Sequence, residues 1–264
     1  MSKLILIALL LLASSFARAQ QQKLSAWQKE AGSLDDKVFD ITYSSDDWVV
    51  CKVGTDIMVS RPKARYVPVR GDSLTIPMGR LKPEINYRYG VKVVKKVSDG
   101  FLVGIDDGEN GGGLWFLSND ATVQYRMANT YRIRWIFEFQ SKLYAIHSRG
   151  RAGAGLGSGG ILEITRNATG QWESETMIRL AEAPKLTVVS ANRVYILTDE
   201  HLGILNSDLT LTTVLRGPYK WGMLQPSSMV IDGPDLYIGT RWGVFKIKAF
   251  ESKPEYGWYI PPSH

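Results

Sequence analysis

DLYIGTRWGVFKI, residues 235–247, decides the architecture, because variants of it recur along the chain at intervals suited to one supersecondary unit. The pattern is an apolar run, a connector of variable length that mostly ends in Gly, and a second apolar run. Its relatives are residues 101–117 (FLVGIDDGENGGGLWFL), 143–164 (LYAIHSRGRAGAGLGSGGILEI), 194–205 (VYILTDEHLGIL) and, in weaker form, 48–59 (WVVCKVGTDIMV). Starts at 48, 101, 143, 194 and 236 lie 53, 42, 51 and 42 residues apart. Self-similarity at such a period marks a repeat architecture.

The flanking sequence completes each unit. Ile133, Trp135, Phe137 and Phe139 alternate strictly with polar or smaller residues, and Val91, Val93 and Val97 alternate in part with lysines. Alternation of β-branched and aromatic residues predicts half-buried strands. Residues 186–190, 194–197, 203–205 and 211–215 read as four successive strands, turning at Ala191-Asn192 and at Asn206-Ser207-Asp208. Residues 133–139, 143–146, 160–164 and 173–178 read as four more, with a last turn at 167–170. The turn chemistry falls where the period needs it. One short helix is expected around 26–31.

Four-stranded antiparallel units repeated radially make a β-propeller. The expectation is an all-β chain with five four-stranded blades. Six blades result if residues 253–260 (KPEYGWYI) pair with the N-terminal segment as a further blade. Otherwise that tail, or the strand at 39–43, helps close the ring, and the chain ends are neighbours.

DLYIGTRWGVFKI resembles the short repeats of bacterial sensor-type, two-component-regulator-like propellers, where an LWIGT-like strand, a Gly turn and a LYRF-like strand follow one another. It is similar, more loosely, to the blades of streptogramin-lyase-like propellers. The likeness is good over 235–247, fair over the units starting at 101 and 194, and poor in the first. It implies a fold and no activity, since one fold hosts many functions. Sensor propellers usually carry a membrane signalling module, which this sequence lacks, so the resemblance does not extend to direct signalling.

Residues 1–19 read as a cleaved signal peptide: a basic start at Met1-Ser2-Lys3, an apolar stretch over 4–13, and Ala17-Arg18-Ala19 ahead of Gln20. The apolar stretch falls short of the about 20 residues of a membrane-spanning helix. Export to the periplasm or medium is expected, with residues 20–37 as an N-terminal extension and 38–264 as a single propeller domain. Removing residues 1–19 from the 264-residue chain leaves 245, enough to bury roughly 70 to 75% of the unfolded surface. Cys51 is the sole cysteine, so no internal disulfide forms, and a buried inert thiol is expected. Loss of Lys3 and Arg18 takes 32 basic residues to 30 against 26 acidic ones, a net +4. The lysines and arginines form no continuous run, which argues against nucleic acid as a partner. No later apolar run is long enough to hold the chain in a membrane, and a monomer is expected.

In a blade whose first strand is innermost, the connector from second to third strand and the connector between blades open on one rim. Loops on a rigid scaffold are the usual carriers of binding. The swollen connectors 106–112 and 148–159 should stand side by side there, joined by the inter-blade segment 71–90. Asp106, Asp107 and Glu109 form an acidic hairpin that is a partner-binding candidate and, as an alternative, a calcium ligand set. Arg149 and Arg151 suit a carboxylate or phosphate. Gly155, Gly157 and Gly160 make a formal G-x-G-x-x-G, but a strand follows instead of a helix, so no dinucleotide site is expected. Tyr219, Trp221, Arg241 and Trp242 suit sugar faces or protein hot spots, and equally suit packing between blades.

Catalysis has thinner support. Paired acid and base carboxylates of the kind five-bladed glycosidases present would have to come from Asp40, Glu138 and Asp232. His201, beside Glu200, is the alternative catalytic pair for a lyase or hydrolase on the same rim. No histidine cluster suits a transition metal, and no cofactor is expected. The residues favour a binding module for a protein or a cell-envelope glycan.

Overall fold

The structure, a computed structural model, describes residues 21–30, 47–61, 70–86, 91–108, 111–129, 132–149 and 157–261. The chain forms two compact units, Met1–Ala64 with Leu224–His264, and Arg65–Met223. The strands begin with β1 (Gln21–Lys23), β2 (Gln28–Glu30), β3 (Val49–Val53) and β4 (Asp56–Ser60). There follow β5 (Arg70–Gly71), β6 (Val91–Val97), β7 (Gly100–Asp106), β8 (Gly112–Ser118) and β9 (Gln124–Asn129). Next come β10 (Arg132–Phe139), β11 (Lys142–Arg149), β12 (Ser158–Arg166) and β13 (Trp172–Leu180). After these lie β14 (Leu186–Ser190), β15 (Arg193–Leu197), β16 (His201–Leu205) and β17 (Leu211–Arg216). The last four are β18 (Ser228–Asp232), β19 (Asp235–Gly239), β20 (Val244–Lys248) and β21 (Glu255–Ile260).

The unit Arg65–Met223 holds three sheets, β6 to β9, β10 to β13 and β14 to β17, each an antiparallel meander in chain order. The short β5 adds to the first sheet in parallel with β6. Meanders of this form are propeller blades, so the chain is an all-β propeller-type repeat. The recurring motif occupies the second and third strands throughout: β7 and β8, β11 and β12, β15 and β16. Each sheet also repeats a bulge between its third and fourth strands, at Leu114/Trp115, Ile161/Leu162 and Leu202/Gly203.

Adjacent faces supply the core. Val93, Leu102 and Leu114 of one sheet pack with Ile133, Ala145 and Leu162 of the next. Phe137, Tyr144 and Ile161 then pack with Val194, Ile196 and Leu205. Strict alternation along 133–139 had placed four apolar residues on one face, and the structure corrects this. A bulge between Ile133 and Trp135 leaves Arg134 unopposed, so Ile133 enters the first core while Phe137 enters the second. The segment expected to open on the rim is also corrected over its described part, residues 72–86. Its Ile76, Leu81 and Ile85 bury against Val94, Phe101 and Trp115, covering a sheet face that would otherwise expose apolar surface. Lys82 N donates to Gln124 Oε1 at 3.0 Å, which ties the segment to the sheet end opposite Asp106.

The other unit holds a sheet ordered β18-β19-β20-β21-β2 and a three-stranded sheet ordered β1-β4-β3. DLYIGTRWGVFKI supplies β19 and β20, the second and third strands. Gly243 immediately precedes β20, and a Cβ there would lie 2.4 Å from the Tyr259 carbonyl oxygen. The first repeat is offset. Its hairpin, turning at Gly54 with φ +61°, forms the edge and centre of its sheet, and β1 takes the third place. The helix expected at 26–31 is absent over 27–30, where β2 pairs with β21 and Trp27 is buried. The tail thus serves as a fourth strand beside an N-terminal one. Leu24, Trp27, Val50, Val59, Tyr237 and Val244 form this unit's core. Cys51 is half-buried on β3, less covered than its pattern suggests. The strand expected at 39–43 lies outside the described residues.

Candidate functional site

Antiparallel order brings the start of each first strand, the end of the second and the start of the third to one end of the sheet. Lys92, Asp106, Arg132, His147, Ser148, Thr198, Asp199 and Thr240 are the buried polar or charged residues among those described. Every one of them sits at that connector end of its own sheet. Burying such groups costs free energy unless each is hydrogen-bonded or paired, so a one-sided distribution marks the end that is specialised.

The acidic connector begins at Asp106, 6% exposed. Its Oδ1 accepts from Gly108 N at 3.1 Å, and its Oδ2 accepts from Arg134 Nη1. Arg134 Nε also donates to Ser148 Oγ at 3.1 Å, so the bulged arginine joins the bases of the two swollen connectors. Burial and the like charge of Arg134 lower the Arg70 pKa, with Asp106 opposing. The Arg134 guanidinium therefore lies directly against the Asp106 carboxylate. Asp107 is half-buried at the hairpin, its N–H donating to Gly111 O at 2.9 Å. Among the described residues no group of three His, Cys, Asp or Glu is arranged to hold a metal. Glu109 and Arg151 lie outside the described residues.

His147, 3% exposed, closes β11 beside Arg149. Burial, and then the Arg149 charge, push its pKa down from 6.5 to about 4. The unfolded imidazole takes up a proton at a higher pH than the folded one, so its contribution is complete above pH 6.5 and lost as pH falls toward 4. The interval corresponds to roughly 3 kcal/mol. Thermal melts are expected to show stability falling across that window, and His147→Gln to flatten the fall.

The connector after β15 carries a second cluster. His201 Nδ1 lies 2.6 Å from Glu182 Oε1. Glu182 Oε2 accepts from Thr198 Oγ1 and from Glu200 N. Burial raises the Glu182 pKa, but these hydrogen bonds outweigh it and hold the carboxyl below the usual carboxylate range. Glu200 was the expected partner of His201, and the structure corrects this. Glu200 instead pairs with Arg216 at 3.0 Å and Lys220 at 3.4 Å. Lys185 and Asp199 add an ion pair of 2.9 Å beneath them.

Trp221 needs a further correction. Its side chain is wholly buried and its backbone N–H donates to the Asp199 carbonyl at 2.7 Å, so it packs instead of facing a partner. Gly217 lies against its indole, since a Cβ there would sit 2.5 Å from the ring. Tyr219 stays half-exposed on the same segment. In the other unit Arg241 lies 3.5 Å from Asp47, and Trp242 meets Trp258 edge-on with ring centres 5.1 Å apart. Both keep partial exposure at the connector end.

No family model and no curated protein matches the chain. Solved structures give weak likenesses. A virginiamycin B lyase from Staphylococcus aureus is 13% identical, with 93% of this chain and 88% of its own covered at a TM-score of 0.42. A gluconolactonase from Xanthomonas campestris is 13% identical, with 65% and 57% covered at 0.40. A protein of unknown function from Bacteroides thetaiotaomicron is 10% identical, with 80% and 60% covered at 0.42. The match spans less than two thirds of the length of the gluconolactonases.

The structure thus joins Asp106 to Arg134, and His201 to Glu182. Neither Arg134 nor Glu182 stood out in the sequence. Arg134 read as one polar member of an alternating strand, and Glu182 lies 19 residues from its histidine in a segment without a motif.

Proposed function

We propose that this chain is an exported, periplasmic or secreted, five-bladed propeller that binds a protein or cell-envelope glycan through its connector ends. The observation carrying this reading is the gathering of buried polar side chains at one end of each four- or five-stranded sheet. Rigidly held polar groups there support Arg149, Tyr219, Arg241 and Trp242 as contacts on more exposed connectors. The test is capture from envelope extract and on purified peptidoglycan by wild type and by an Arg149→Ala, Arg241→Ala, Trp242→Ala triple variant. Retention is expected to fall at least about tenfold, equivalent to roughly 1.4 kcal/mol. Unchanged capture overturns the reading.

A second reading, a lyase or hydrolase on the same end, rests on the 2.6 Å Glu182–His201 contact. A carboxylate on Nδ1 orients the ring so that Nε2 can exchange a proton with a substrate. Turnover of saccharides or lactones that disappears in His201→Ala, and whose kcat falls in Glu182→Gln with little change in KM, would put this reading first.

A further inference from the structure

We infer that a cavity in the unit Met1–Ala64 with Leu224–His264 binds a single neutral pyranose sugar, at the sheet ends opposite the connectors. The cavity measures about 270 Å³, and Ser25, Asp56, Asp232, Tyr237, Lys246 and Tyr259 are among its walls. Asp56 opens β4 just after its hairpin turn, and Asp232 closes β18 just before its own. Both turns lie away from Thr240 and Trp242, which follow the far end of β19. At about 30 Å³ per water the space holds about nine waters. It falls just below the roughly 300–1,000 Å³ of drug-sized sites and suits one sugar ring.

The ligand class follows from the charges. Asp56 Oδ2 pairs with Lys23 at 2.9 Å, Asp232 Oδ1 with Lys52 at 2.6 Å, and Lys246 with Asp235 Oδ2 at 2.7 Å. Each charged wall residue thus has an opposite partner, which leaves no net field to select an ion. A cation would meet the Lys246 ammonium, and an anion would meet two carboxylates. Asp56 Oδ1 and Asp232 Oδ2 remain outside these ion pairs, and a carboxylate oxygen accepts readily from a hydroxyl. Lys246 Nζ lies 5.0 Å from the centre of the Tyr237 ring, which fixes that wall. Tyr259 is half-buried and brings an apolar ring with a polar tip, and Ser25 adds a hydroxyl that both donates and accepts. Aromatic surface with several fixed acceptors and balanced charge matches a neutral polyhydroxylated ring.

The test is saturation-transfer NMR and titration calorimetry on the purified protein. The probes are the methyl glycosides of glucose, galactose and N-acetylglucosamine, with glucuronate and glucosamine as charged comparisons. At least one neutral glycoside is expected to bind in the millimolar range, about tenfold or more tighter than the charged sugars. Asp232→Asn should weaken it about tenfold, while Lys142→Ala, in the exposed Lys142–Glu163 pair of the other unit, leaves it unchanged. Tyr259 packs on the unit's core, so Asp232→Asn, which alters only a surface ion pair, is the deciding variant. Absence of transfer to every neutral glycoside, equal binding of the charged sugars, or full binding by Asp232→Asn would overturn the assignment.

Discussion

Trp221→Ala is expected to lower the unfolding free energy by about 3–5 kcal/mol. The side chain is 0% exposed, and the glycine at 217 is shaped to its indole, so the cavity cannot be filled by nearby side chains without moving backbone. A domain is stable by only about 5–15 kcal/mol, so the loss is a large part of the total. Urea denaturation should show the midpoint falling at nearly constant slope. Tyr219→Ala, two residues away and half-exposed, should cost about 1 kcal/mol or less. Equal effects at the two positions would contradict the assignment of Trp221 to packing.

The second large effect is at Arg134. Replacing it by Met leaves the Asp106 carboxylate, 6% exposed, without its guanidinium. Breaking a buried pair from one side costs about 3–5 kcal/mol, and the Arg70 guanidinium, which also interacts with Asp106, should hold the loss toward the low end of that range. Replacing both residues, Asp106→Leu with Arg134→Met, is expected to cost less than the sum of the single changes by about 1–3 kcal/mol. Denaturation of the four proteins in the cycle measures this directly. Additive losses would mean that the ion pair contributes nothing specific to holding the two connectors together.

Much of the architecture was readable before folding, because its causes are local. Alternation placed β14 to β17 almost residue for residue, and Ala191-Asn192 turns with φ of 48° and 62° as a tight hairpin requires. Turn and pattern signals extend over a few residues, and a strand's own sequence carries them. The bulge at Arg134 breaks that logic. One unopposed residue reverses the parity of everything after it, and nothing in RIRWIFEF announces the insertion. The first repeat fails similarly: its hairpin is correct, but its place within a sheet depends on β1, well before it in the chain.

The candidate site was legible only in part. Asp106 ends β7 and His201 starts β16, strand ends next to connectors whose position follows from strand order. Their partners were not legible, since Arg134 lies 28 residues from Asp106 and Glu182 lies 19 from His201. Trp221 shows the opposite failure, as an aromatic residue in a polar loop looks the same in sequence whether it faces solvent or core.

The sequence by itself determined a repeated four-stranded β unit, the turns that join its strands, and the connectors at which polar side chains gather. All of these depend on periods of two residues and on turn propensities. Only the tertiary structure decided which charges pair, which tryptophan packs, and that Asp56 and Asp232 line one cavity. Those outcomes depend on contacts between segments distant in the chain, whose free energy comes from desolvation and fit and leaves no local pattern.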